Sequence, residues 1–238
     1  MYGRMLCPPR RSAVDPAGLL AEMDYCGISE ALVTHAASVE ESPVTGNDLV
    51  AQDAAAQPRL HPVWTITPPQ TRELGTAAEF VAALRAAGVR ALYAYPDLHQ
   101  YLLNRETFGT LFELLLEHHV PVFVRRWDWE KLTALLREFP QLTLVQTAWG
   151  SWGWDHFARP LLEAYPNFYL ETSEYQLAGG FEDHCRTYGP ERLLFGTNYP
   201  YFYMRGPELT LRHADISDDD KAAIAGGNLR RLLGEVSW

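Results

Sequence analysis

The stretch RLLFGTNYP, Arg192 to Pro200, decides the fold. Leu193, Leu194 and Phe195 run into Gly196, then into a polar pair and the turn residues Tyr199 and Pro200. A short apolar run closed by turn residues predicts a buried strand, Leu193 to Phe195, whose C-terminal end delivers Asn198 into a turn. Ligands of parallel α/β proteins gather at strand C-terminal ends, so Asn198 stands where chemistry is expected.

Upstream, the same grammar repeats. Strands are predicted from Glu30, Leu60, Ala91, Val122, Leu142 and Phe168, each preceded by a segment of helical spacing. The clearest helix carries Phe108, Leu111, Phe112, Leu115 and Leu116 at i, i+3, i+4, i+7 and i+8, one apolar face. Asp15-Pro16 starts another that ends at Gly27, and Ser217 with Asp220 opens the C-terminal one. Seven strands alternating with helices at intervals of roughly 20 to 30 residues predict parallel βα units, and at this length a (β/α)8 barrel. An open doubly wound sheet is the alternative, but no Gly-x-Gly-x-x-Gly turn follows any strand. Stepping back one repeat from Glu30 puts the first strand at the very start of the chain, truncated or absent. The expectation is a single barrel domain over residues 1–238.

Composition narrows the partners. A net charge of −10 argues against nucleic acid or an anionic membrane as the main partner. No apolar run approaches the ~20 residues of a membrane span, and the N-terminus lacks a secretory apolar region. Cys7, Cys26 and Cys185 form no CxxC pair, so neither a disulfide framework nor a zinc knuckle is expected. The expected setting is the cytoplasm, the expected partner a small molecule, with a homo-oligomer possible.

Six fragments in order resemble the amidohydrolase-related family: LLAEMDYCGISEALVTH (Leu19–His35), GVRALYAYP (Gly88–Pro96), VPVFVR (Val120–Arg125), PNFYLETS (Pro166–Ser173), ERLLFGTNYP (Glu191–Pro200) and IAGGNLRRLL (Ile224–Leu233). The resemblance implies a TIM-type barrel and hydrolase, lactonase or decarboxylase chemistry. It also implies a divalent metal held by a His-x-His pair on the first strand, a His ending the fifth and sixth strands, and an Asp ending the eighth. The matching positions here are Arg125, Ala148 and Asn198, and the sequence contains no His-x-His. A guanidinium has no lone pair and a methyl group no donor atom, so the expectation is no metal ligand set and no cofactor.

The residues left to do chemistry sit at the predicted strand ends. Arg125 puts a fixed cation where the family puts a metal, fit to clamp a carboxylate or polarise a carbonyl. Glu171, ending the seventh strand, is its natural ion-pair partner. Asn198 can orient a ligand, and His35, after the second strand, is the candidate base because imidazole titrates near neutrality. His118 and His119 close a helix and suit its terminal carbonyls better than a metal. Five tryptophans, Trp127, Trp129, Trp149, Trp152 and Trp154, with Tyr199, Tyr201, Phe202 and Tyr203, suggest an aromatic rim. Trp149, Tyr199 and Tyr95 are the candidate substrate contacts. The expected activity is hydrolysis or lactone opening of a small anionic molecule without metal. The alternatives are a non-catalytic binding or regulatory relative, and a gene reading that starts downstream of a first strand.

Overall fold

The computed structural model describes residues 1–125, 128–150 and 152–238, and for Trp152 the backbone only. Eight short strands run in chain order: β1 (Ala31–Val33), β2 (Leu60–Pro62), β3 (Trp64–Thr65), β4 (Leu92–Ala94), β5 (Val122–Arg125), β6 (Leu144–Thr147), β7 (Phe168–Glu171) and β8 (Leu193–Leu194). β3 to β8 form one parallel sheet in sequence order, and β1 pairs with β2 in parallel. Val63 alone separates β2 from β3. Its N–H still reaches the Val33 carbonyl at 2.9 Å, whereas the next residue, Trp64, bonds to Ala91 at 3.3 Å. One strand in effect changes partner there, and the curved sheet continues as a TIM-type βα barrel.

Alternation along the strands separates inside from outside. Ala91, Phe123, Val145, Tyr169 and Leu194 join Val63 in an interior cluster, with Tyr93 packed against it. Their neighbours Leu92, Val122, Val124, Leu144 and Leu170 face the helices in the larger outer core. The C-terminal helix (Asn228–Glu235) adds Leu232, Leu229 and Leu233 to the interior cluster. Its first residue, Asn228, anchors β8 by donating to the carbonyls of Pro190 and Leu193 at 2.8 and 2.9 Å.

The helices start where their caps dictate. Asp15 caps α1 (Pro16–Cys26) by accepting from Gly18, and Gly27 ends it at φ 70. Ser42 caps a helix over Pro43–Ala56 that starts three residues before the expected Gly46, because Pro43 fits its first turn. A capping box of Thr76 and Glu79 opens the helix Ala77–Ala87. The helix Arg105–Glu117 buries the predicted face of Phe108, Leu111, Phe112 and Leu115. Two differences from expectation stand out. β6 lies two residues later than Leu142, whose N–H turns back to Phe139 at 3.0 Å. A helix over Arg205–His213 was not anticipated, since its start carries Gly206 and Pro207 and it buries only Pro207 and Leu211.

The first-strand position is held by two residues. Tyr2 makes a single parallel bridge to His35: its N–H donates to Thr34 at 3.2 Å and its carbonyl accepts from Ala36 at 2.7 Å. The Met1 amine donates to the Tyr199 carbonyl at 3.0 Å, so this arm ties the first and last strands together at the barrel mouth.

Asn47 shows how the thin β3 segment is held. Its buried amide accepts from Thr65 N–H at 2.7 Å and donates to the Thr65 carbonyl at 2.9 Å. Asn47→Ala orphans both backbone groups, and at roughly 1–3 kcal/mol each it is expected to cost about 2–4 kcal/mol in urea unfolding. A loss below about 0.5 kcal/mol would show that β3 does not depend on this clamp.

Candidate active site

The inward positions at the strand C-terminal ends converge. Tyr95, Arg125, Thr147, Glu171 and Asn198 line one cavity of about 980 Å³, which also runs along β1 to Ser29, Arg90 and Leu233. The C-terminal end of the strands is the face on which such barrels carry their sites.

Glu171, the last residue of β7, is the centre of the arrangement. Its carboxylate accepts from Ala148 N–H at 3.1 Å, from Ser173 N–H at 2.8 Å and from the Ser173 hydroxyl at 2.9 Å. A carboxylate offers about four acceptor sites, so three donors leave one for a ligand. The carboxyl group fits because residue 196 is glycine: a Cβ there would lie 1.4 Å from Glu171 Oε1. Ala148, just past β6, adopts φ 54, and Asn198 φ 47. Asparagine tolerates this left-handed region, whereas alanine carries strain there, a feature that concentrates at functional sites.

Burial pushes the Glu171 carboxyl up to about 7, against the pull of the Ala148 and Ser173 donors, and the nearby charge of Glu174 pushes the same way. Desolvation disfavours the ion, the three donors favour it, and the balance falls near neutrality.

Arg125, ending β5, faces the same cavity. Its guanidinium carbon lies 4.8 Å from the centre of the Tyr201 ring. The expected ion pair with Glu171 is not formed. Glu171 is satisfied by backbone and hydroxyl donors from its own side of the barrel, and no described carboxylate lies within ion-pair distance of Arg125. Asn198 donates to Glu174 Oε1 at 3.0 Å, which orients its amide. Tyr93 and Tyr95 stack at 4.5 Å and 12° to form an aromatic wall, and the Tyr93 hydroxyl bonds to Thr147.

Two candidates fall elsewhere. His35 does not line the cavity: its Nδ1 accepts from Ala37 N–H at 3.1 Å and its ring packs under Gly3, with its pKa lowered by burial. Trp149 is fully buried, stacks on Tyr175 at 3.8 Å and does not line the cavity. The aromatic rim is partial. Tyr199 and Tyr201 line the cavity, while Trp129 stacks on Phe157 outside it. Trp127 and the Trp152 side chain lie outside the described residues. Tyr93, Thr147 and Ser173 were missed. The signal for the first two was parity, since they share the inward register of Tyr95 and Arg125.

The family model described as Amidohydrolase matches residues 4–234. The chain belongs to the amidohydrolase family. No curated protein matches. Among solved structures, a TIM-barrel protein of Bordetella bronchiseptica is 24% identical over 93% of this chain and 83% of its own, with a TM-score of 0.73. The 5-carboxyvanillate decarboxylase of Sphingomonas paucimobilis is 21% identical, over 92% and 82%, at 0.68. A dihydroxybenzoic acid decarboxylase from Polaromonas, with bound manganese and an inhibitor, is 16% identical, over 94% and 87%, at 0.65. At these identities the likeness is one of fold. No described helix is long and apolar enough to cross a membrane.

The raised Glu171 predicts a sign. The folded carboxyl holds its proton to higher pH than the unfolded one, so it costs stability as pH rises from about 4.3 through about 7. Buried His184, lowered to about 4, acts in the opposite sense. Comparing Glu171→Gln with wild type at each pH isolates the carboxyl. The variant is expected to gain on wild type by up to about 1.4 kcal/mol per pH unit between pH 5 and 7. A difference independent of pH would contradict the assignment.

Proposed function

We propose that the chain is a hydrolase or lactonase for a small, anionic organic molecule, worked by Glu171 and Arg125 without the family's metal ion. The observation that carries this reading is a buried carboxyl balanced near neutrality in the same cavity as a guanidinium free of any described carboxylate. A group poised near the working pH is the most effective proton carrier. In this reading Arg125 clamps the carboxylate or polarises the carbonyl. Ionised Glu171 takes a proton from water as its oxygen bonds to the carbonyl carbon, then returns it to the departing alkoxide. Asn198, oriented by Glu174, positions the ligand.

The residues present do not fit a divalent ion. Arg125 brings a positive charge and Ala148 no donor, and the Asn198 amide nitrogen is turned to Glu174. The described residues hold no group of three His, Cys, Asp or Glu side chains that suits a metal. The manganese of the Polaromonas enzyme therefore does not transfer to this chain.

Decarboxylation of an aromatic acid is the second reading. It is favoured by the Tyr93–Tyr95 wall, which suits a planar ring, and by two neighbours named for that reaction. Here protonated Glu171 supplies the proton that replaces CO2 on the ring carbon.

The pH profile separates the two. Turnover of lactones by ionised Glu171 rises through about pH 7, whereas proton donation to a ring carbon falls over the same range. In a panel of lactones, anionic esters and hydroxybenzoates, Glu171→Gln is expected to lose about 10²- to 10⁴-fold in kcat/KM. Arg125→Ala is expected to raise KM for anionic substrates. Activity indifferent to both changes would defeat the proposal. Ligand-dependent thermal stabilisation with no product from any panel member would instead establish a binding relative.

A further inference from the structure

We propose that Trp149 and Tyr175 are positioning residues for Glu171: their ring stack fixes the turns after β6 and β7 in the arrangement that aims Ala148 and Ser173 at its carboxylate. The inference rests on the reading of Glu171 as the proton carrier and is the same for either reaction.

The first observation is where the donors stand. Ala148 follows β6 and Ser173 follows β7, so the bonds of 2.8 to 3.1 Å to Glu171 come from two separate turns. The ladder between the two strands ends at the pair of Gln146 and Leu170, short of both donors. Something beyond the sheet has to set their spacing.

The second is conformation. Ala148 holds φ 54, where alanine is strained, and such strain persists only when the surroundings over-determine it. This φ is the torsion between the N–H that Glu171 accepts and the chain running on to Trp149. A fixed Trp149 therefore fixes the direction of that N–H.

The third is the stack itself. Trp149 and Tyr175 are fully buried, with ring centres 3.8 Å apart and planes 14° from parallel. Tyr175 also closes the turn that contains Ser173, its N–H donating to the Thr172 carbonyl at 3.0 Å. The edge of His184 meets Trp149 at 6.3 Å, and that of Phe181 meets Tyr175 at 5.5 Å. Residue 180 is glycine where a Cβ would lie 2.6 Å from the Tyr175 hydroxyl oxygen. One packed unit thus joins the residue after one donor to the residue two beyond the other. Aromatic pairs attract beyond the area they bury, so this unit resists opening.

The donors favour the carboxylate ion, so loosening them raises the Glu171 midpoint. Of the other titratable groups near Glu171, Arg125 and Tyr93 stand on β5 and β4, apart from the stack. Glu174 lies beside Tyr175, but its charge pushes Glu171 up, so displacing it would lower the midpoint. A rise therefore reports the donors.

Carbon-13 titration of Glu171 is compared in wild type, Trp149→Leu and Tyr175→Leu, which remove the stack, and Trp149→Phe and Tyr175→Phe, which keep it. The Leu variants are expected to move the midpoint from about 7 to about 8 or higher and to carry the pH profile of kcat/KM with it, while the Phe variants stay near 7. Folded Leu variants with an unmoved midpoint, or Phe variants that move as far, would overturn the proposal. Amide exchange in wild type decides it without a variant. If the stack locks both turns, the amides of Ala148, Ser173 and Tyr175 open together and share one protection factor within about threefold. A wider spread would overturn the proposal. A wild-type midpoint in the ordinary carboxylate range would instead defeat the proton-carrier reading, and the exchange result would still decide the role of the stack.

Discussion

A carboxyl group buried against three donors is the constraint on which the rest of the site depends. Glu171 is kept from water by the barrel wall, and Ala148 N–H with both donors of Ser173 keep it from simply staying protonated. Several otherwise unexplained features follow. Residue 196 has no side chain because the carboxyl fills that space. Ala148 occupies a left-handed conformation with its N–H on Glu171. Arg125, with the carboxylate already satisfied, lies against Tyr201 and remains available to an anion. One cavity thus holds a fixed cation and a carboxyl that can take either state.

The barrel supplies the positions through strand parity. The residues that fill its interior, Tyr93, Phe123, Val145 and Tyr169, are followed two places on by Tyr95, Arg125, Thr147 and Glu171. The same alternation thus packs the core and presents these four side chains, and the short turns after the strands add Ala148, Ser173 and Asn198. Packing also sets the proton affinity. These donors alone would hold the carboxyl below its ordinary range, and burial in the same geometry brings it up to about 7.

Much of this was legible in the sequence, because strand ends follow from local apolar runs and turn residues. Arg125, Glu171, Asn198, Tyr95 and Tyr199, read from strand ends and turn residues, line one cavity, and Tyr2 makes a single bridge at the first-strand position. What was not legible depends on side-chain direction and on contacts distant in sequence. The Arg125–Glu171 pair looked natural from charge alone, yet Ser173, two residues on, competes for the carboxylate through a local turn. His35 and Trp149 were near the right strand ends and still face away, one beneath Gly3 and one onto Tyr175. The helix over Arg205–His213 escaped notice because it carries few apolar residues and packs mainly through two of them.

The most direct test of the account is a carbon-13 NMR titration of the Glu171 side-chain carboxyl in the folded wild-type protein. The account predicts a midpoint near 7. A midpoint in the ordinary carboxylate range, about 4.3, would show that the group is not held between its two states and would contradict the account.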